Sequence, residues 1–207
     1  MLYLVRHGAI AAKGRRYLGQ MEVPLDEAGL MQAANLADLL RDVPFSRICS
    51  SDLSRAQRTA EMIAKGRNQD VRARREFREI DLGEWDGCAF TEVMQRFPKA
   101  YQARGEDLEH FRPPGGESFG DVRDRVLPAL HHILEPVGNI LLVAHRAVNR
   151  VILCEVLGLP LCNVLRIRQD YGCLNLVAYE TSGCYVKLLN YTPQAIPAAP
   201  KLELSLP

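Results

Sequence analysis

The chain has 207 residues, of which 47% are hydrophobic and 25% are charged, and its formal net charge is +1 at pH 7. This balance is typical of a folded domain and excludes a disordered chain, in which low hydrophobicity accompanies high net charge. The basic residues are spread along the chain and nearly matched by acids, so nucleic acid is not an expected partner. The length predicts one domain, over residues 1–192.

The N-terminus and the cysteines favour the cytoplasm. A strand-like run, Leu2-Tyr3-Leu4-Val5, opens the chain without the basic and long apolar segments of a secretory signal. No apolar run approaches about 18 residues, so the sequence predicts no membrane-spanning helix and no membrane partner. The oligomeric state stays open, a homodimer included. Six cysteines without a C-x-x-C pair are interpreted as core thiols: Cys49, Cys88, Cys154, Cys162, Cys173 and Cys184.

The first forty residues predict a strand, a loop and a helix. Residues 2–6 form a short apolar run that ends at Arg6-His7-Gly8, the pattern of a buried strand that delivers polar groups at its carboxyl end. Residues 9–25 predict a loop. Asp26 is a candidate N-cap for a helix over 27–41, whose apolar residues recur at helical spacing.

The same order recurs downstream. Residues 45–50 predict a second strand, and Ser51-Asp52 predicts the start of the helix that contains Arg55. A short strand is expected at 71–74. A helix is expected near 90–97, before Pro98.

The second half predicts another strand and helix, followed by a hairpin. Ser118 is a candidate cap for an apolar-faced helix, and a strand over 140–144 ends at His145 before a helix over 147–157. Two further runs, 173–180 and 184–190, predict a hairpin. The proline-rich tail, 193–207, is expected to be mobile.

Alternation of strands and helices predicts an α/β fold, a three-layer α/β/α sandwich with a mostly parallel central sheet. Ligands of such sheets bind outside the carboxyl ends of the strands. Arg6, His7 and His145 all lie at such ends. We therefore expect these side chains to meet at one edge of the sheet.

Five residues together point to phosphate chemistry, although each alone is more typical of a structural histidine or a surface ion pair. They are Arg6, His7, Arg55, Glu79 and His145. A phosphate ester needs fixed cations for its oxygens, an imidazole in line with phosphorus, and an acid for the leaving oxygen. The set contains all three kinds of group.

Several motifs in order resemble the histidine phosphatase superfamily, which includes phosphoglycerate mutases and gives the expected phosphoglycerate mutase-like fold. The resemblance covers roughly residues 2–190 and is specific because the motifs keep their order. The motifs are Leu4-Val5-Arg6-His7-Gly8, Gly19-Gln20, Ser50-Ser51-Asp52-Leu53-Ser54-Arg55-Ala56, Phe77-Arg78-Glu79-Ile80-Asp81-Leu82-Gly83-Glu84-Trp85-Asp86-Gly87, Pro114-Gly115-Gly116-Glu117-Ser118-Phe119 and Val143-Ala144-His145.

The resemblance implies that His7 attacks phosphorus, that Arg6, Arg55 and His145 hold the phosphoryl oxygens, and that Glu79 protonates the leaving group. Attack requires a neutral nitrogen, so the other nitrogen of His7 needs an acceptor such as a backbone carbonyl of the Gly8 loop. His145 would be most useful protonated, which a bound dianion favours. The arginines and the imidazolium supply the positive charge, so neither a metal nor a cofactor is expected.

The expected substrate-binding residues also include Gly8, Gly19, Gln20 and two departures from the family pattern. Lys13 stands where relatives commonly carry an asparagine that touches phosphate, and is either a substitute cation or an exposed loop residue. Arg146 replaces the glycine that commonly follows the second histidine. Its side chain is expected to narrow or recharge the pocket.

The compact length and the motifs around Gly115 and His145 are closest to α-ribazole-5′-phosphate phosphatases and broad-specificity phosphatases. The expected partner is a small phosphorylated metabolite. Two alternatives stay open: a cofactor-dependent phosphoglycerate mutase, and a non-catalytic phosphate-binding regulator. Mutases usually carry a longer insertion before the second histidine, which this chain lacks, and retention of the complete set of reactive residues argues against the regulator.

Overall fold

Six strands form one sheet in the computed structural model, which describes residues 1–11, 14, 16–135, 138–180 and 183–193. The strands are β1 (Leu2–Arg6), β2 (Phe45–Ser51), β3 (Val71–Arg74), β4 (Asn139–Ala144), β5 (Leu174–Glu180) and β6 (Gly183–Tyr191). Their order across the sheet is β3-β2-β4-β1-β5-β6. Strands β1 to β4 pair in parallel, whereas β5 is antiparallel to both β1 and β6. The predicted mostly parallel sheet is confirmed.

Helices cover both faces of the sheet. They are α1 (Glu27–Leu39), α2 (Ser54–Ala64), α3 (Phe90–Arg96), α4 (Pro98–Glu106), α5 (Phe119–Leu134) and α6 (Arg146–Leu157). Successive residues of a strand face opposite sides, and here Val5 packs with α1 and α2 while Leu4 packs with α5 and α6. The three predicted layers are therefore present. None of these helices, within the described ranges, has the length and apolar character needed to cross a membrane.

The predicted helix caps are present. Asp26 Oδ1 accepts a hydrogen bond from Gly29 N at 2.7 Å, which satisfies one of the open amides at the start of α1. Ser118 and Asp121 exchange side-chain-to-backbone hydrogen bonds in a capping box at the start of α5. Both helices begin where the sequence predicts.

One sequence-based expectation is wrong at a helix boundary. Helix α2 begins at Ser54 rather than at Ser51-Asp52, because Ser51 remains in β2 and the Asp52 carboxylate binds Arg78 at 2.7 and 2.8 Å. The helix expected near 90–97 is confirmed as α3, which ends before Pro98. Pro98 then occupies the first turn of α4, a helix that the sequence analysis did not predict, at a position where its missing N–H has no cost. The residues of the hairpin turn, 181–182, and the predicted mobile tail beyond residue 193 lie outside the described ranges.

Parallel pairing of β1 with β4 places the two candidate catalytic histidines side by side. Arg6 is in register with Ala144, so His7 and His145 are the first residues after two neighbouring strands. The amide of His7 donates to Ala144 O at 3.1 Å and continues the ladder by one residue. The expected meeting at one edge of the sheet is confirmed.

The loop after β1 lies against the first turn of α1 at two glycines. A Cβ atom on Gly8 would lie 2.4 Å from Gly29 O, and one on Gly29 would lie 2.0 Å from Ala9 O. Both distances are far below van der Waals contact, so the approach requires glycine on both sides. This contact sets the position of His7 relative to α1.

We expect Gly29→Ala to destabilise the protein by about 1–3 kcal/mol, although alanine normally favours a helix, because the new methyl group overpacks the backbone. The matched control is Gly105→Ala in α4, where a Cβ meets open space and alanine is expected to add up to about 1 kcal/mol. Urea denaturation of both variants measures the signs. Stabilisation by both substitutions would contradict the close approach.

Candidate active site

A cavity of about 440 Å³ opens at the carboxyl edge of the sheet, beside His7. Its lining is rich in positive charge and in aromatic rings. Among the described residues, the basic and acidic groups of the lining are Arg6, His7, Arg16, Arg55, Glu79, Arg104, Arg146 and Arg150. The aromatic rings are Tyr17, Phe90, Phe119 and Tyr171. One carboxylate among six guanidinium groups makes this an anion-binding cavity.

His7 is held in the form that can attack phosphorus. Its Nδ1 lies 2.7 Å from Gly8 O, and because a carbonyl only accepts, Nδ1 carries the proton. The other nitrogen, Nε2, then keeps its lone pair. Burial, followed by the charges of Arg6 and Arg55, lowers the pKa of His7 well below its usual value. The carbonyl partner expected from the sequence is present.

Arg6 is fixed by contacts that leave its charge uncompensated. Its Nη1 donates to Gln169 O at 2.8 Å, and its guanidinium carbon lies 3.7 Å from the centre of the Tyr171 ring. Gln169 is fixed in turn by hydrogen bonds with Asn149 and Asn175 at 2.7 to 3.1 Å. Within the described part of the chain, Arg6 forms no salt bridge with a carboxylate, and its Nε has no hydrogen-bond partner.

Arg55, the second residue of α2, is oriented in the same manner. Its Nη1 donates to Met21 O at 2.6 Å and its Nη2 donates to Gly19 O at 2.7 Å. Backbone carbonyls thus align this buried guanidinium without neutralising it. Gly19, expected to bind substrate, lines the cavity, and its carbonyl aligns Arg55.

His145 lies next to His7 with both ring nitrogens buried. The ring centres are 5.0 Å apart, and neither nitrogen of His145 finds a hydrogen-bond partner among the described residues. Burial, followed by the proximity of His7, Arg55 and Arg6, lowers the pKa of His145 well below its usual value. The imidazole is therefore neutral in the protein alone. Protonation of His145 requires an anion that offsets these costs.

Glu79 lies at the start of helix α6, which directly follows His145. Its Oε1 accepts hydrogen bonds from Ile80 N and Ala147 N, both at 3.0 Å. The amide of Ala147 belongs to the first turn of α6, so this carboxylate occupies the positive end of a helix. The backbone carbonyl of Glu79 accepts from Gln20 Nε2 and Arg125 Nη2 at 3.1 Å.

Comparison with known proteins agrees with this geometry. The profile of the histidine phosphatase superfamily (branch 1) matches residues 2–192. The chain belongs to the histidine phosphatase superfamily. It is an enzyme that hydrolyses phosphate monoesters, and the family expected from its motifs is confirmed.

Two relatives and one solved structure show how similar this chain is to known proteins. An adenosylcobalamin/α-ribazole phosphatase of Escherichia coli is 31% identical over 91% of this chain and 95% of that relative. A probable phosphoglycerate mutase of Salmonella choleraesuis is 33% identical over 87% and 86%. The crystal structure of a putative α-ribazole-5′-P phosphatase from E. coli superposes with a TM-score of 0.85 and 30% identity, covering 94% of this chain and 98% of that one.

The remaining expected substrate-binding residues of this histidine phosphatase differ in position. Arg146 is exposed at the first residue of α6 and lines the cavity. Gln20 lies behind Glu79 instead of in the cavity wall, because its amide is engaged by the Glu79 carbonyl. Gly8 contributes the carbonyl that binds His7. Lys13 falls outside the described residues.

Sequence reasoning missed several residues at the cavity and around Arg6, among them Arg104, Arg150, Gln169 and Tyr171. Arg150 follows Arg146 by one helical turn, a spacing that could have signalled it. Tyr171, Gln169 and Arg104 carry no comparable local pattern.

Asp86 is a half-buried carboxylate that lies against Gly19, the residue whose carbonyl binds Arg55. It lies so close to Gly19 that a Cβ there would be 2.1 Å from Asp86 Oδ1, and this oxygen has no hydrogen-bond partner among the described residues. Burial, followed by the charge of Asp81, raises the pKa of Asp86 to about 6. The protein therefore holds a proton on Asp86 more tightly than the unfolded chain does.

We expect Asp86→Asn to stabilise the protein increasingly as the pH rises. The pKa of Asp86 is higher in the folded state, so its contribution is complete below about pH 4 and is lost as the pH rises through about 6. The free energy of unfolding of the variant, relative to that of the wild type, should grow by roughly 1 kcal/mol over this pH range. This value is smaller than the full pKa shift would give, because solvent screens a half-buried carboxylate. Urea denaturation across this pH range tests it against the exposed control Asp42→Asn. A pH-independent difference would contradict the raised pKa.

Proposed function

We propose that this enzyme hydrolyses phosphate monoesters through a phosphohistidine formed on His7. In the first step the lone pair of Nε2 forms a bond to phosphorus, and the bond between phosphorus and the ester oxygen breaks. Glu79 gives its proton to the departing alcohol. The observation that carries this proposal is the hydrogen bond from Nδ1 to Gly8 O, which fixes the tautomer that can attack.

In the second step water attacks the phosphohistidine and restores the enzyme. The Glu79 carboxylate takes a proton from that water, phosphorus gains an oxygen, and the bond to Nε2 breaks with return of its electron pair. Glu79 is suited to both roles because the amides of Ile80 and Ala147 hold Oε1 in place. Inorganic phosphate and the regenerated acid are the products.

Charge on the transferred group is balanced by protein cations in this proposal. Arg6 and Arg55 are aligned by carbonyls, so their charges are available to phosphoryl oxygens. The two buried nitrogens of His145 have no hydrogen-bond partner among the described residues, and a dianion both supplies an acceptor and raises the affinity of His145 for a proton. Fixed donors of this kind stabilise charge without reorganisation.

The substrate we propose is a nucleoside-like 5′-monophosphate such as α-ribazole 5′-phosphate, from cobalamin synthesis. The similarity to the α-ribazole phosphatase of E. coli supports it. So does the cavity, in which Tyr17, Phe90 and Phe119 offer ring faces and edges to an aromatic base.

A phosphoglycerate mutase is the second candidate, favoured by the 33% identity to the Salmonella relative. A mutase must retain its bisphosphate and exclude water between its two transfers. The absence of a longer insertion before His145 favours the phosphatase. We propose the cytoplasm as the compartment, which the six free thiols support, two of them exposed at Cys162 and Cys184.

His7→Ala is expected to abolish turnover, because no other group reaches phosphorus in this mechanism. Wild-type enzyme quenched during turnover of labelled substrate should carry an acid-labile, base-stable phosphoryl group on His7, read by mass spectrometry. The control is His131→Ala, an exposed histidine of α5, which should keep full activity and labelling. Label on serine or cysteine, or dependence on added Mg²⁺ after treatment with EDTA, would end this mechanism.

Glu79→Gln should slow hydrolysis of glycerol phosphate by about 10²–10⁴-fold and affect p-nitrophenyl phosphate far less, since a good leaving group scarcely needs a proton. Glutamine keeps an oxygen acceptor for Ile80 N and Ala147 N, so the loop stays in place. Glu84→Gln, exposed in the same loop, is the matched control. Equal losses on both substrates would assign Glu79 to phosphate positioning instead.

The efficiency on α-ribazole 5′-phosphate should exceed that on ribose 5-phosphate by more than about tenfold, equivalent to about 1.4 kcal/mol of transition-state binding by the base. The two esters share a phosphate and a ribose, so the ratio isolates the base. Comparable values would reject the cobalamin assignment and keep the phosphatase. Interconversion of 2- and 3-phosphoglycerate faster than hydrolysis, with a bisphosphate primer, would favour the mutase.

A further inference from the structure

Four side-chain amides form a cluster next to Arg6, outside the cavity. They come from four different segments of the chain, and the first three of them are buried: Asn149 of α6, Gln169, Asn175 of β5 and Asn190 of β6. None of the four is among the described residues that line the cavity. The amide cluster can therefore act on a bound ligand only through a neighbouring residue.

The amide cluster is fixed by hydrogen bonds between its own members. Gln169 Oε1 accepts from Asn149 Nδ2 at 3.1 Å and from Asn175 Nδ2 at 3.0 Å, and Gln169 Nε2 donates to Asn175 Oδ1 at 2.7 Å. Asn175 Oδ1 also accepts from the backbone amide of Asn190 at 2.9 Å. Buried side chains that make several hydrogen bonds are held in one orientation. The cluster therefore fixes Gln169 relative to α6, β5 and β6.

The segment from Gln169 to Cys173 connects the amide cluster to the active site. The backbone carbonyl of Gln169 accepts from Arg6 Nη1 at 2.8 Å, and that of Cys173 accepts from Arg6 N at 3.0 Å. Gly172 N donates to His7 O at 3.0 Å. One short segment thus positions both the backbone and the guanidinium group of Arg6. Gln169 joins the two sites, because its carbonyl binds Arg6 and its side chain belongs to the cluster.

Asn190 holds the same segment from the outermost strand, β6. Its Oδ1 accepts from Asp170 N at 2.7 Å, and its Nδ2 donates to Asp170 Oδ2 at 2.9 Å. The backbone φ of Asn190 is 54°, the one positive value among the described residues other than glycine. Asparagine tolerates this left-handed region better than most residues, and such conformations persist where their surroundings hold them. Asn190 thereby binds Asp170 with its side chain and Asn175 with its backbone.

Asp170 is the carboxylate of this segment, and its contacts keep it from pairing with Arg6. Besides Asn190, it binds Arg168 Nε at 2.8 and 3.0 Å. The hydrogen bond from Asn190 is the main cause that lowers the pKa of Asp170, and the charge of Arg6 acts in the same direction. Asp170 is thus an anion within electrostatic range of Arg6. The two groups nevertheless form no salt bridge in the part of the chain that the structure describes.

The amide cluster is not the arrangement that stability alone would favour. Asn149 Oδ1 is buried and has no hydrogen-bond partner among the described residues. A buried polar atom without a partner costs free energy, whereas apolar side chains of the same shape avoid this cost. Carboxylates could also form hydrogen bonds here, but a negative charge next to Arg6 would compete with a phosphate for the guanidinium group. Neutral amides fix the segment without that competition.

We propose that Gln169 and Asn190 are positioning residues of the phosphatase reaction, which act on the phosphate through Arg6. Gln169 holds the carbonyl that aligns the guanidinium group, and Asn190 holds the Asp170 carboxylate away from it. The inference rests on the proposed binding of the phosphoryl group by Arg6. It gives a role in the reaction to β6, a strand without described residues in the lining of the cavity.

Binding of orthovanadate, which resembles the transferred phosphoryl group, measures this effect without turnover. Gln169→Leu removes the side-chain hydrogen bonds of Gln169 and keeps the backbone carbonyl that binds Arg6. We expect the dissociation constant, measured by calorimetry, to rise about tenfold, equivalent to about 1.4 kcal/mol. Gln69→Leu is the matched control, because this exposed glutamine precedes β3 at the opposite edge of the sheet. The control should bind orthovanadate as the wild-type enzyme does.

A double-mutant cycle determines whether Gln169 acts through Arg6. Residues that act together have non-additive effects, whereas the effects of independent residues add. In an Arg6→Ala background, Gln169→Leu is therefore expected to change the affinity for orthovanadate by less than about twofold. A general loss of structure would instead weaken binding equally in both backgrounds.

Asn190 is tested by rescue. Asn190→Gly keeps the left-handed backbone and its amide, and removes the two hydrogen bonds to Asp170. We expect orthovanadate binding to weaken about threefold or more, since the released carboxylate competes for Arg6. Adding Asp170→Asn to this variant should restore most of the affinity, because the side chain is then uncharged. This pair of variants gives an independent test should Gln169→Leu fail to fold.

The outcomes separate this inference from the proposed function. Unchanged affinity in Gln169→Leu, additive effects in the cycle, or an equal loss in Gln69→Leu would overturn the role of Gln169. Unchanged affinity in Asn190→Gly, or no recovery with Asp170→Asn, would overturn that of Asn190. If Arg6→Ala alone left orthovanadate binding unchanged, the proposed function of Arg6 would be rejected, and the positioning role with it.

Discussion

The parallel pairing of β1 with β4 is the contact on which the proposed chemistry depends. Arg6 and Ala144, the last residues of these strands, are 138 positions apart in the sequence but pair directly in the sheet. The chain leaves the sheet directly after each of them. His7 and His145 then stand side by side with their ring centres 5.0 Å apart. In parallel strands the carboxyl ends necessarily lie at one edge, so no other pairing of these segments would juxtapose the two imidazoles.

This edge accumulates buried positive charge, and the fold accommodates it with backbone carbonyls. Arg6 and Arg55 donate to the carbonyls of Gln169, Gly19 and Met21 rather than to carboxylates. A carboxylate would stabilise each guanidinium more strongly but would compete with the phosphate that it has to bind. Burial, followed by the charges of these arginines and the proximity of the two rings, lowers the pKa of both neighbouring imidazoles. The proposed nucleophile, His7, therefore stays neutral, and protonation of His145 requires an anion.

Further guanidinium groups line the same cavity together with aromatic rings, those of Arg104, Arg146 and Arg150. The helix α6 links the two sides. Its first turn supplies the amide that binds Glu79, and its exposed first residue is Arg146. One helix thus connects the proposed general acid, Glu79, to the arginines that line the cavity.

Much of the fold was predictable from the sequence because its determinants are local. Apolar runs of strand length ending in Arg6-His7 and at His145 predict the two central strands, and the Asp26 and Ser118 caps predict where α1 and α5 begin. The ordered motifs were sufficient to identify the family and to predict the five residues proposed to act on the phosphate. These features depend on spacing and side-chain chemistry within a few residues.

The tertiary structure decided whatever depends on contacts between distant segments. Asp52 was an apparent helix start, but Arg78 captures its carboxylate across the sheet edge. The residues that orient Arg6, Gln169 and Tyr171, are more than 160 positions away along the chain. Arg104 joins Arg150 only because α4 and α6 face the same cavity, and periodicity within either helix carries no information about that meeting.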